Sequence, residues 1–86
     1  MTGKFAQIER LFDELLAASS ESLSAGGLQE VRHFIEVGEF GLALETMVDI
    51  FAEEKKAIGN NVTSQINDLA REMSIDPAPL LRRLPQ

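Results

Sequence analysis

Residues 40–54 of the 86-residue chain read FGLALETMVDIFAEE, and this stretch decides the fold. On a helical wheel of about 100° per residue, its large apolar side chains share one broad side. A helix with so wide an apolar side contacts several neighbours at once, so the stretch predicts the central helix of a bundle. No segment of the chain alternates apolar and polar residues as a strand does. The apolar side comprises Phe40, Ala43, Leu44, Met47, Val48, Ile50 and Phe51.

Two predicted helices precede this stretch. Thr2 can cap the first helix, which we expect over about residues 3–18, and the Ser- and Gly-rich residues 19–27 predict a loop. The second, shorter helix ends where Gly38 can adopt a left-handed C-cap. The apolar positions are Phe5, Ile8, Leu11, Phe12, Leu15 and Leu16 in the first helix, and Leu28, Val31, Phe34 and Ile35 in the second.

Two further predicted helices follow the central one. The Gly-Asn-Asn sequence at residues 59–61 interrupts the helical pattern, and Thr63 can cap a fourth helix. Asp76 followed by Pro77 is typical of a helix start and predicts a short fifth helix. The expected fold class is therefore all-α, a compact bundle of four main helices plus a short C-terminal helix, in one domain over residues 1–86. The apolar positions are Ile66, Leu69, Ala70 and Met73, then Leu80, Leu81 and Leu84.

Composition limits the cellular location of the protein and the kinds of metal site and cross-link that it can contain. The chain has no cysteine, which excludes a disulfide framework and a thiolate metal site. No apolar run approaches the roughly 20 residues of a membrane-spanning helix, and the N-terminus lacks the pattern of a secretory signal. We therefore expect a cytoplasmic protein that does not interact with membranes.

The net charge of −6 is concentrated in one segment. Residues 30–54 contain seven acidic residues and one base and sum to −6, whereas residues 1–29 sum to −2 and residues 55–86 to +2. Such a field repels phosphate groups, so direct binding of nucleic acid is not expected. A basic protein is the natural complement of this segment.

Motifs of catalysis, metal binding and cofactor binding are missing from the sequence. The single histidine, His33, lies opposite the apolar side of the second helix and is interpreted as a solvated surface residue. No metal-ligand spacing, phosphate-binding glycine loop or triad motif occurs, so we expect no enzyme, no cofactor and no metal. Acyl carrier proteins are also small, acidic and four-helical. The residues nearest to their modified serine are Ser22, at a poor helix opening, and Ser74, at a helix end. Both positions disfavour the acyl carrier interpretation.

The polar side of the central helix predicts an acidic ladder. Glu45, Asp49 and Glu53 follow at i, i+4 and i+8, a spacing at which like charges cost roughly 0.2–0.5 kcal/mol per pair. Leu42 falls between Asp49 and Glu53 in angle, and two more acids lie where the second and third helices meet. A solvated helix face is the alternative interpretation, but an apolar anchor inside a charged rim is typical of a protein interface. The predicted partner-binding residues are Glu36, Glu39, Leu42, Glu45, Asp49 and Glu53.

Two smaller features accompany the ladder. Gly41 and Ala43 are small enough to let another helix approach the central one closely. Arg71, Arg82 and Arg83 lie near predicted helix ends, where positive charge complements the helix dipole, so no further role is assigned to them.

Residues 30–54, EVRHFIEVGEFGLALETMVDIFAEE, resemble the MafI family of small immunity proteins, which belong to bacterial polymorphic-toxin and contact-dependent growth inhibition systems. The resemblance lies in the Val-Arg-x-x-Ile start, in GEFGLALE at residues 38–45, and in Asp49 and the Glu-Glu pair at residues 53–54. Weaker echoes occur at residues 61–63 and from Met73 to Leu84. Together these segments cover about two-thirds of the chain, without the first helix. The chain has Phe40 where a Trp or Tyr is frequent, and leucines in the tail where a Trp is common, which leaves the cognate toxin open.

The resemblance implies a cytosolic protein whose gene lies next to a toxin gene and which blocks the C-terminal effector domain of that toxin. That domain is commonly a nuclease, and an RNase is expected ahead of a DNase. A nuclease attracts a polyanion with a basic cleft, which an acidic helical face could occupy. The family pattern does not assign the contact residues, and binding outside the catalytic cleft stays open. A helical adaptor or regulatory domain that binds another basic protein is the alternative function, and self-association is not indicated.

Overall fold

The computed structural model describes residues 4–54 and 58–85, and it confirms an all-α bundle of four main helices and a short fifth one. The predicted cap Thr2 lies outside the described residues. A single 3-10 turn, Ser20–Ser22, follows the first helix. The helices are α1 Lys4–Ala18, α2 Ala25–Glu36, α3 Phe40–Glu54, α4 Asn60–Glu72 and α5 Ala78–Arg83.

Helix α3 is central, as predicted. It packs along α2 and also contacts α5, while α1 packs along α4. The radius of gyration, 11.9 Å, is about that expected for a compact domain of this length. Two members of the predicted apolar side, Phe40 and Ile50, are only partly buried. The other five have no solvent exposure: Ala43, Leu44, Met47, Val48 and Phe51.

The first turn of α2 corrects the predicted loop over residues 19–27. The hydroxyl of Ser24 accepts the N–H of Gly27 at 3.1 Å and caps the helix, so Ala25 already lies within it. Gly27 lets α2 lie close to α3, because a β-carbon at this position would lie 2.9 Å from Cδ1 of Ile50, and the end of that side chain would have to shift. The close approach predicted at Gly41 is looser, since its nearest neighbour would be 3.9 Å away.

The turn between α2 and α3 confirms the predicted role of Gly38. Its φ of +79° lies in the left-handed region. The N–H of Gly38 donates to the carbonyl of Ile35 at 3.1 Å, and the N–H of Glu39 donates to that of Phe34 at 2.8 Å. These two bonds form a Schellman motif, which ends α2 and starts α3 after three intervening residues.

The same motif ends α4, with a serine in the strained position. Ser74 has φ +60°, and the N–H of Ile75 donates to the carbonyl of Ala70 at 2.8 Å. This turn directs the chain back across the start of α3, where Ile75 lies 3.9 Å from the position of a β-carbon on Gly41.

Both predicted helices of the C-terminal half form, but neither has the predicted residue in its capping position. Helix α4 is preceded by Gly59, and Thr63 lies in its first turn, where its hydroxyl donates to the Gly59 carbonyl at 3.3 Å. The predicted cap at Thr63 is therefore wrong. The predicted short fifth helix is confirmed, and the carboxylate of Asp76 accepts the N–H of Ala78 at 3.0 Å. The helix nevertheless begins at Ala78, with Pro77 rather than Asp76 in the capping position, so the predicted start lies one residue too early.

Candidate protein-binding surface

The outer face of α3, formed by Leu42, Glu45, Asp49 and Glu53, is exposed to solvent. Each step of four residues rises about 6 Å along a helix, so the three carboxylates span roughly 12 Å. Leu42 is 45% exposed although it is a large apolar residue. The predicted polar side of α3 is thus confirmed as surface.

One rung of the acidic ladder has an internal partner. The Arg83 guanidinium of α5 pairs with the Asp49 carboxylate, and both side chains are about half exposed. The sequence assigned Arg83 to the helix dipole alone, because it does not show that α5 packs against α3. Within the described parts of the chain, Glu45 and Glu53 have no ion-pair partner. Among the residues that the structure describes, the acidic ladder therefore has one paired carboxylate between two unpaired ones.

The remaining predicted residues, Glu36 and Glu39, lie at a different place on the surface. They rim two adjacent clefts beside the α2–α3 turn, of about 350 and 270 Å³. Glu39 belongs to the larger cleft and Glu36 to the smaller one. The six predicted residues therefore divide into an outer-face group on α3 and a turn group beside these clefts.

Phe5 forms the common wall of both clefts together with Phe40. The two rings stack with their centroids 5.7 Å apart, and Phe40 stacks in turn on Phe12 at 6.2 Å. The sequence placed Phe5 on the buried face of α1, yet its side chain is 65% exposed. Its position in the first turn of α1, beyond the reach of the core, is the signal that could have shown this.

The acids of this surface are poorly explained by helix chemistry. Glu36 is the last residue of α2, and Glu53 lies in the last turn of α3. Negative charge at a helix C-terminus is opposed by the helix dipole, typically by 0.3–1 kcal/mol. The last turn of α3 contains no basic residue that would offset this effect. Within the described residues, helix stability therefore gives no reason for these carboxylates.

The residues considered for catalysis or metal binding are scattered. His33 is exposed, as predicted, with its ring 6.1 Å from that of Phe34. Among residues 4–54 and 58–85, no group of three or more His, Asp or Glu side chains could hold a metal ion. In the same ranges, no helix is long and apolar enough to cross a bilayer. This surface therefore offers charge and exposed apolar area, a combination that is typical of protein interfaces.

No protein-family model matches the chain, and neither a curated protein nor a solved structure is detectably similar to it. The resemblance of residues 30–54 to the MafI immunity proteins therefore stays a prediction. It is carried by the sequence motifs quoted above.

Proposed function

We propose that the chain is an immunity protein that binds and neutralises the effector domain of a cognate bacterial toxin, a nuclease, with an RNase ahead of a DNase. The observation that carries this proposal is the outer face of α3. There Glu45 and Glu53 are exposed and, within the described parts of the chain, unpaired, beside the exposed Leu42. The resemblance of residues 30–54 to immunity proteins supports the same function.

Charge complementarity explains how such a face would inhibit a nuclease. A nuclease cleft is basic because it must attract a polyanion, and acidic side chains on a rigid helix present negative charge at fixed spacing. Complementary fields raise association rates by roughly 10–1000-fold, while a buried apolar anchor slows dissociation. Glu45 and Glu53 would supply the electrostatic steering, and Leu42 would supply one apolar anchor.

The area of a typical protein interface implies that toxin binding would involve both the outer-face group and the turn group. A stable protein interface covers about 800 Å² on each partner, close to one seventh of the 5324 Å² surface of this chain. One helix face about 12 Å long is too small for this area. The turn group, Glu36 and Glu39 with the neighbouring clefts, extends the surface beyond α3.

The ion pair between Arg83 and Asp49 predicts an order of importance for toxin binding among the three carboxylates of the acidic ladder. A basic side chain of the toxin must displace Arg83 before it can bind Asp49, whereas Glu45 and Glu53 are available at once. Reversal of either outer rung should therefore weaken toxin binding more than reversal of Asp49. This order distinguishes contact with the face from a general effect of net charge.

The test begins with the gene next to that of this protein, which should encode a large secreted toxin. Its C-terminal domain is co-expressed and co-purified with the chain, and growth protection and affinity are measured. The triple variant Glu45→Lys, Asp49→Lys and Glu53→Lys should lose protection and at least about tenfold in affinity.

The matched control reverses three exposed acids of α1, the 3-10 turn and α4 instead, which gives the same net charge. Equal losses in both variants would reduce the effect to long-range charge, and unchanged protection in both would place binding on another face. A gene neighbourhood without a toxin would favour the helical adaptor. The control substitutions are Glu14→Lys, Glu21→Lys and Asp68→Lys.

A further inference from the structure

An aromatic column connects the core to the surface at Phe5. Phe12 at its base has no solvent exposure, Phe40 above it is half-buried, and Phe5 at the top is exposed. The stack holds the exposed ring in place, so a partner that covers it loses little of the side chain's remaining freedom. Anchored aromatic side chains of this kind are typical centres of binding energy in protein interfaces.

The two clefts lie on either side of this column and have mostly apolar walls. Ile8, Met73 and Ile75 line the larger cleft, and Ile35 lines the smaller one, with Phe5 shared by both. Both clefts are open to solvent along one side. Their shape suits single side chains of a polypeptide better than a small molecule, which a site normally encloses over most of its surface.

Among the side chains that the structure describes, those on the rims of the clefts carry only negative charge. Glu39 borders the larger cleft, Glu9 and Glu36 border the smaller one, and none of the described residues that line either cleft is basic. All three carboxylates are exposed. An occupant must therefore combine apolar side chains with positive charge. A second copy of this chain would bring three more carboxylates to the same place, which disfavours a dimer here.

We propose that this surface, formed by the Phe5–Phe40 stack and its two clefts, docks a basic amphipathic segment of the toxin effector domain. The segment places one apolar side chain in each cleft, on either side of Phe5, and directs Lys or Arg toward Glu9, Glu36 and Glu39. The inference rests on the proposed function, because the occupant belongs to the toxin. It makes Phe5, rather than Leu42, the main apolar anchor.

The first experiment uses the full-length chain and a defined probe, a short amphipathic peptide of lysine and leucine with its leucines on one helical face. Methyl resonances are followed during titration, with Ile66 in the core and Leu42 on the outer face as references. We expect shifts at the isoleucines of the clefts: Ile8, Ile35 and Ile75. Shifts at Leu42 instead, or no binding, would overturn the proposal.

Two further peptides separate charge from apolar contact. A lysine and serine peptide keeps the positive charge without apolar side chains, and a glutamate and leucine peptide keeps the apolar side chains without positive charge. Both should bind at least about tenfold more weakly than the lysine and leucine peptide. Equal binding of the lysine and serine peptide would show that the clefts contribute nothing.

Variants of the chain test the anchor and the rim separately. Phe5→Ala should weaken the lysine and leucine peptide by about tenfold or more. Val37→Ala is its matched control, since Val37 is an exposed apolar residue of the neighbouring α2–α3 turn that lines neither cleft. The triple variant Glu9→Gln, Glu36→Gln and Glu39→Gln removes only exposed charges, so it tests the rim if Phe5→Ala perturbs α1. It should weaken binding several-fold and flatten its salt dependence.

The same variants are then measured against the toxin domain, which separates this inference from the proposed function. If the toxin is neutralised equally well by wild type, Phe5→Ala and the rim variant, the function stands and the docking site fails. If no toxin is neutralised but the peptide binds at the clefts, the proposed function is wrong. The clefts would then still be a binding site for basic amphipathic segments. A dimer in sedimentation that Phe5→Ala dissociates would identify a second copy as the occupant and overturn the proposal.

Discussion

Helix α3 has two faces that share one backbone and differ in almost everything else. The inner face carries Leu44, Met47 and Phe51, which have no solvent exposure, and the outer face carries Leu42 and acidic residues. Packing in the core, with α2 and α5 as neighbours, determines the inner face. Apart from the Asp49–Arg83 pair, nothing in the described parts of the chain requires the outer face, where the acids oppose one another and the helix dipole. The difference shows which residues serve the fold and which are free to serve a partner.

The largest expected effect comes from two leucines placed two residues apart, one on each face. Leu44→Ala should lower the free energy of unfolding by about 2.7–5 kcal/mol, because it leaves a cavity in the core. Leu42→Ala should change it by less than about 1 kcal/mol, since the side chain is already 45% exposed. Urea unfolding followed by circular dichroism measures both.

Toxin binding should show the reverse order for these two variants under conditions where both are folded. Leu42→Ala would weaken the complex, while folded Leu44→Ala would bind normally. Equal losses of stability in the two variants would contradict the division of α3 into a structural and a free face.

This division is also the part of the fold that the sequence predicted best. The spacing of apolar residues identified the inner face, since burial on a helix imposes its period on the sequence. Contacts between helices left no such period. The sequence shows Gly27 as a helix breaker, whereas the structure uses it to let α2 approach Ile50. It likewise does not reveal that Arg83 reaches Asp49.

A second effect sharpens the comparison, because it concerns an exposed residue that the fold nevertheless requires. Gly38→Ala should destabilise the chain by about 1–2 kcal/mol, since a side chain is strained at φ +79° even with no neighbour within 4 Å. Gly26 is the matched control. It is also exposed and without neighbours, but it lies inside α2, so Gly26→Ala should stabilise the chain by about 0.4–1 kcal/mol.

Thermal unfolding measures the opposite signs of the two glycine variants. A Gly38→Ala variant as stable as wild type would show that the Schellman turn does not hold the start of α3. The turn group would then lose the rigid support that the docking inference assumes.

A third, smaller effect should separate stability from function on the outer face. Glu53→Lys replaces repulsion from Asp49 with attraction at i, i+4 and adds a positive charge at the C-terminus of α3. The free energy of unfolding should rise by about 1 kcal/mol, while affinity for the toxin falls. Glu14→Lys on α1 serves as the control for net charge. A destabilised Glu53→Lys variant would mean that the fold itself requires this carboxylate.

The smallest effect concerns the one rung that has an internal partner. A double-mutant cycle of Asp49→Asn and Arg83→Ala should give a coupling of about 0.2–1 kcal/mol in the free protein, because the pair is half exposed. The coupling should shrink in high salt, and Arg82→Ala should show no coupling to Asp49.

Toxin binding by the Arg83→Ala variant tests how the Asp49–Arg83 pair affects recognition by the outer face. If the toxin displaces Arg83, Arg83→Ala makes Asp49 available in advance and should strengthen toxin binding slightly while it weakens the fold. An Arg83→Ala variant that loses both stability and affinity would instead place the arginine itself in the interface. The outer face would then be a mixed surface, and negative charge alone would no longer explain how it recognises its partner.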